Sequence, residues 1–91
     1  MRYVPHLEHR LQIRRIPREL PERVYRNAEE RFYDLMTDHE VAIMHVRYRR
    51  KLREIMVAYD RHADRVELVT IHPLQPGQKR ARVESGRWER L

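Results

Sequence analysis

The spacing of apolar positions changes once along the chain, near residue 40. Ahead of that point Leu7 and Leu11 stand four apart with Val4 before them, while Glu8, Arg10, Gln12 and Arg15 lie off that line. This is the spacing of one helical face. Pro5 suits the first turn, where its missing N–H costs nothing. Ile16-Pro17 ends the helix, because a residue ahead of proline is pushed out of the α region. A second helix is predicted to begin near Pro21, since a deeper proline would break it. Its apolar stripe is Leu20, Val24, Ala28, Phe32 and Leu35, with Arg23, Arg26, Glu29, Glu30 and Arg31 covering the other side. Residues 5–35 thus read as an αα-hairpin, and no strand is read ahead of it.

Beyond Asp38 the period becomes two. Ala42, Met44, Val46 and Tyr48 alternate with Val41, Ile43, His45, Arg47 and Arg49, the pattern of a strand with one strongly apolar face. The runs Leu52–Tyr59 and Val66–His72 are apolar on both faces in their middles, as strands inside a sheet are. Turns are predicted at Arg49-Arg50-Lys51 and at Asp60–Asp64. Pro73 and Pro76-Gly77 close the series, and residues 78–91 read as a helical turn followed by an extended end carrying Trp88. The expected architecture is one α+β domain over residues 1–91. It comprises a helical hairpin (5–35) packed on an antiparallel meander of three to four strands (40–73), then a basic C-terminal tail (74–91).

Charge sharpens this picture. Residues 1–40 hold eight arginines and eight carboxylates and sum to zero, whereas residues 41–91 hold twelve basic residues against six acidic ones and carry the whole net charge of +6. A one-sided surplus is the electrostatic footprint of a polyanion partner. Eighteen of the twenty cations are arginine, whose planar fork matches phosphate. Codon bias or stabilising ion-pair networks would also enrich arginine. The densest run is Arg47-Tyr48-Arg49-Arg50-Lys51-Leu52-Arg53. If parity carries through the turn, Arg47, Arg49, Lys51 and Arg53 form a comb on one side at ~6.5–7 Å spacing, close to the phosphate repeat of a nucleic-acid strand. The alternative is a solvated tip that protects a strand edge from aggregation.

Little else is offered for chemistry. Cysteine is absent, which removes disulfides and thiolate catalysis. Two glycines and one serine leave no phosphate loop and no serine-nucleophile motif. His6 and His9 have metal-compatible spacing but no further ligands beside them, so no metal or other cofactor is expected. A metal-free ribonuclease needs only a base, an acid and fixed cations around a phosphate attacked by its own 2′-hydroxyl, roles open to His, Tyr, Arg and Lys. Tyr59 and His72, read as ending adjacent strands, are the candidates for proton transfer. Arg47, Arg49, Arg50, Lys51, Arg53, Lys79 and Arg80 are the candidates for holding nucleic acid. Trp88 is expected to pack over the sheet edge, with stacking on a base as the alternative. Neither a signal-peptide core nor a span of ~18–20 apolar residues is read, and the expected location is the cytoplasm.

Pro5-His6-Leu7-Glu8-His9-Arg10, Arg14-Arg15-Ile16 and the stretch from Glu19 to Asn27 resemble the opening of a small prokaryotic family. Ile55–Tyr59 and Leu68–Pro73 resemble its meander. In layout such proteins are similar to the RelE/ParE-like and BrnT toxins of toxin–antitoxin pairs. That resemblance, covering residues 5–75, implies a metal-independent endoribonuclease acting on RNA, or a gyrase poison as ParE-type members are, with a small acidic antitoxin as partner. It assigns no residue role. The alternative is a non-catalytic module binding nucleic acid or an acidic protein through the same surface. A third reading is a structural protein stabilised by arginine ion pairs.

Overall fold

The second helix stops nine residues before its apolar stripe does, and the rest of that stripe becomes a strand. The computed structural model describes all 91 residues, in the order β1 (Arg2–Tyr3), α1 (Pro5–Arg14), α2 (Leu20–Arg26), β2 (Glu30–Asp34), β3 (Glu40–Tyr48), β4 (Lys51–His62), β5 (Arg65–Pro73), α3 (Gln78–Glu84) and β6 (Trp88–Arg90). This corrects the expected fold class, a helical hairpin over 5–35 on three or four antiparallel strands. Three helices accompany a six-stranded mixed sheet ordered β1-β5-β4-β3-β2-β6. In Glu30-Arg31-Phe32-Tyr33-Asp34 buried Phe32 and Asp34 alternate with half-buried Arg31 and Tyr33, and pairing with β3 on one side and β6 on the other overrides the helical spacing of Phe32 and Leu35. Leu35 lies exposed in the following turn. The strand missing from the sequence reading, β1, is two residues long and parallel to β5, with Arg2 opposite Glu67. A pairing across 65 residues leaves no local periodicity to read.

The helices that remain form as their residues dictate. Pro5 opens α1, whose Leu7 and Leu11 are buried; Pro21 sits in the first turn of α2, whose Leu20 and Val24 are buried. Arg15 ends α1 in the left-handed conformation (φ 54°). Their apolar faces meet Ala42, Val46, Ile55, Val57, Tyr59, Leu68 and Ile71 on one side of the sheet. Phe32, Val41, Ile43, Met56, Ala58, Leu74 and Trp88 form a second cluster on the opposite side. The central strands are therefore covered twice, as their two-sided apolar middles demand. A bulge explains the third run: Ala58 pairs with Thr70 but Tyr59 with Leu68, so Val69 is an extra residue. Leu68 and Ile71, three apart, can then both face the helices.

Residues 74–91 contain a short helix and a strand that extend the core. Trp88 is 1% exposed, stacked on Phe32 at 5.4 Å between ring centres and covered by Arg82 of α3. No helix is long and apolar enough to cross a membrane.

Candidate nucleic-acid interface

The central hairpin outruns its neighbours. β2 reaches β3 only as far as Ile43, and β5 meets β4 only from Ile55 onward. Met44–Glu54 therefore projects as a two-stranded arm. Its turn is two residues long, Arg49 and Arg50, with φ values of 51° and 69°. Two positive φ values are the mark of the I′ hairpin turn, usually filled by Asn-Gly because side chains resist that region. With Arg15, three arginines at this end hold the left-handed conformation. Arg49 also donates from Nη2 to the Arg14 carbonyl at 2.8 Å, fastening the arm to the end of α1, and lies over the Tyr48 ring.

Pairing separates these cations from most of the others; elsewhere only Arg10, Arg31, Arg65 and Arg82 also lack a carboxylate partner. Arg14, Arg15, Arg23, Arg47, Arg49, Arg50, Lys51 and Arg53 take part in none of the ion pairs of the structure. By contrast Arg2, Arg18, Arg26, Arg61, Lys79, Arg80, Arg87 and Arg90 each meet a carboxylate. Three of the unpaired set at this end come from the half of the chain that is neutral overall. Sequence charge counting missed them because their clustering depends on the α1–α2 turn folding against the arm.

The expected one-sided comb is split. Tyr48 pairs with Lys51, Arg47 with Leu52 and Val46 with Arg53, so Lys51 and Arg53 share the helix-facing side while Arg47 projects from the other. The two-residue turn resets the parity, and the arm is cationic on both faces. A recess of about 250 Å³ lies on one flank, lined by Arg15, Arg23, Arg47 and Arg49 with Tyr48 and Glu19. A groove of about 500 Å³ lies on the other, lined by His45, Lys51, Leu52, Arg53, Glu54 and Leu74 among others. Lys79 bridges Glu30 and Glu54, each at 2.6 Å, and these carboxylates raise its pKa. Arg80 pairs with Glu84 along α3. Lys79 and Arg80 are thus engaged within the fold.

Tyr59 and His72 do not converge. Tyr59 is 1% exposed in the helix-side core, its hydroxyl accepting from Arg31 and donating to Glu40, both at 3.0 Å. Burial raises its pKa, and Arg31 only partly opposes that. His72 pairs with Met56 on the opposite side of the sheet and is half-buried. Burial lowers its pKa, with Arg10, Arg82 and Arg14 acting in the same direction. The β4–β5 bulge sets this register, which strand ends read from sequence could not supply.

A different titratable pair stands beside the arm. Glu29 precedes β2, and its backbone N–H bonds the Ile43 carbonyl. Its carboxylate accepts from the His45 backbone N–H at 3.2 Å and lies 2.6 Å from His45 Nδ1. The bond to the imidazole, more than that to the amide, lowers the Glu29 pKa. His45 Nε2 faces Glu54 at 3.8 Å and the ring borders the larger groove. Sixteen residues separate the partners, and only their approach at the end of the β2–β3 ladder brings them together.

No protein-family model, curated protein or solved structure matches the chain.

Proposed function

We propose that this protein binds single-stranded RNA through the Met44–Glu54 arm and the adjoining α1–α2 turn. The observation that carries this reading is the concentration of carboxylate-free cations at that end, eight of the twelve in the chain, while most of the other surface arginines are paired. A guanidinium without a carboxylate keeps its fork open for phosphate oxygens. The left-handed arginines add to the case, because strained conformations are retained where the side chain has work to do. Lys51 and Arg53, two residues apart on one strand face, stand ~6.5–7 Å apart along it, near the spacing of successive phosphates.

Fluorescence anisotropy with a labelled single-stranded oligoribonucleotide over a salt series tests the reading. Affinity should fall as salt rises, by roughly −0.7 in log affinity per log salt for each phosphate contacted. An acidic protein, including an antitoxin-like partner, would meet the same cations. Displacement of RNA by such a protein but not by neutral competitors would add it as a second ligand.

A metal-independent endoribonuclease activity at the same end is the second reading. The His45–Glu29 pair at the base of the cationic arm favours it. Without cleavage, the same surface serves as a binding module.

A further inference from the structure

We infer that His45 is the proton-transfer residue of an RNA-cleaving centre in the groove beside the arm, oriented by Glu29; this rests on the RNA-binding reading above. Four observations meet there. The imidazole is held through Nδ1 by the Glu29 carboxylate at 2.6 Å, which leaves Nε2 as the free lone pair of the neutral ring. The ring is roughly half exposed, with a side-chain accessibility of 47%, so a ligand can reach it. Lys51 and Arg53 border the same groove along the edge of the arm, each without a carboxylate partner; their side chains rise from the helix-facing side, so a phosphate chain crossing that edge from His45 meets them. Glu54, the carboxylate nearest Nε2, is neutralised by Lys79 at 2.6 Å.

The substrate class follows from what the groove lacks. Its lining contains no serine, threonine, cysteine or tyrosine that could attack phosphorus. The nucleophile most readily activated by a lone base is therefore one the substrate carries beside its own phosphate. An adjacent 2′-hydroxyl gains the large advantage of intramolecular attack. In that step the 2′-hydroxyl proton passes to His45 Nε2 and the 2′-oxygen bonds to phosphorus. The bond from phosphorus to the 5′-oxygen breaks, and the departing oxygen takes a proton from water. The imidazolium returns its proton to the hydroxide left behind. The products are a 2′,3′-cyclic phosphate and a 5′-hydroxyl end. Glu29 touches no reacting atom and acts as a positioning residue that fixes the imidazole tautomer.

The test uses the full chain, a labelled mixed-sequence oligoribonucleotide and its all-deoxy counterpart, with EDTA present. The wild type should cleave the RNA to cyclic-phosphate ends and bind the deoxy strand without cutting it. His45→Ala should lose ~10²-fold or more in cleavage rate, keep RNA affinity and the wild-type melting temperature, and regain activity with added imidazole. Glu29→Gln should lower kcat with KM unchanged. His62→Ala, whose ring pairs with Glu67 away from the groove, should cleave like the wild type. Three outcomes overturn the inference: RNA that is bound but never cut, cleavage unchanged in His45→Ala, or equal cutting of the deoxy strand. The first of these leaves the RNA-binding reading standing, whereas failure of the wild type to bind RNA at low salt removes both.

Discussion

Two regions of this molecule use the same residue type in opposite ways. Around β2, α3 and β6, cations are structural. Arg87 holds Asp34 through two 3.0 Å hydrogen bonds, Lys79 joins Glu30 to Glu54 across β3, and Arg90 pairs with Glu30 while lying over Phe32. On the arm, Arg47, Arg49, Arg50, Lys51 and Arg53 find no carboxylate, and two of them occupy backbone conformations that favour glycine. Cation density is high in both regions, so density alone does not mark a binding surface. Partner accounting does: a guanidinium held by a carboxylate has spent its fork within the fold, whereas Arg47, Arg50 and Arg53 on the arm have no side-chain partner at all.

The widest consequence of this contrast should appear in the paired region. Phe32→Ala removes the ring stacked between Trp88 and Arg90, and should cost ~3–5 kcal/mol in chemical denaturation. RNA affinity, measured where the variant remains folded, should be unchanged. A smaller loss is expected from Asp34→Asn. Burial alone would raise the Asp34 pKa, but the Arg87 hydrogen bonds and the Met36 backbone N–H outweigh it and hold the carboxyl well below its ordinary range. Its stabilisation is present above the unfolded value near ~4 and is lost as pH falls toward the folded one. The variant should therefore be less stable by ~2–3 kcal/mol at neutral pH, somewhat under the cost of breaking a fully buried pair, and the gap should close in acid.

On the arm the sign reverses. Arg50→Gly relieves a left-handed arginine and should stabilise the fold by ~0.5–1 kcal/mol while weakening RNA binding. A variant that loses stability and keeps affinity would make the turn arginines structural and erase the contrast. The smallest effect belongs to His72, on neither surface. Its folded pKa is lowered, so the unfolded chain binds the extra proton and stability declines as pH falls below the unfolded value near ~6.5. Melting curves of His72→Gln between pH 7 and 5 should lose that part of the slope.

Local chemistry made much of this architecture legible. Pro5, Pro21 and the Leu7/Leu11 and Leu20/Val24 spacings suffice for both N-terminal helices, and alternation near Ala42 and Val46 suffices for β3. What escaped depended on contacts distant in sequence. Phe32 keeps helical register with Val24 and Ala28, and only pairing with Val41 and Arg90 makes it a strand residue. The two residues of β1 are too few for any pattern. In the candidate site, the arm's cations could be read from composition, but their distribution over two faces could not, because it turns on a two-residue rather than a three-residue loop. Arg14, Arg15 and Arg23 were hidden by carboxylates that pair elsewhere, such as Glu8 with Arg18 and Glu22 with Arg26. Glu29 and His45 appeared as a helix-surface acid and an ordinary strand histidine until the sheet joined them.

Whether unpaired rather than merely abundant cations make the interface is read from RNA binding over a salt series in two triple variants. One replaces Arg47, Lys51 and Arg53 with alanine; the other replaces Arg61, Arg80 and Arg90, which are paired. Both remove three positive charges. The wild-type log affinity should fall with log salt at a slope of about −3 if four or five phosphates are held. The arm variant should flatten that slope by roughly 2 units and bind far more weakly, while the paired-cation variant should keep most of the wild-type slope and affinity. Equal losses in the two variants would contradict the account, since net charge alone would then explain the binding.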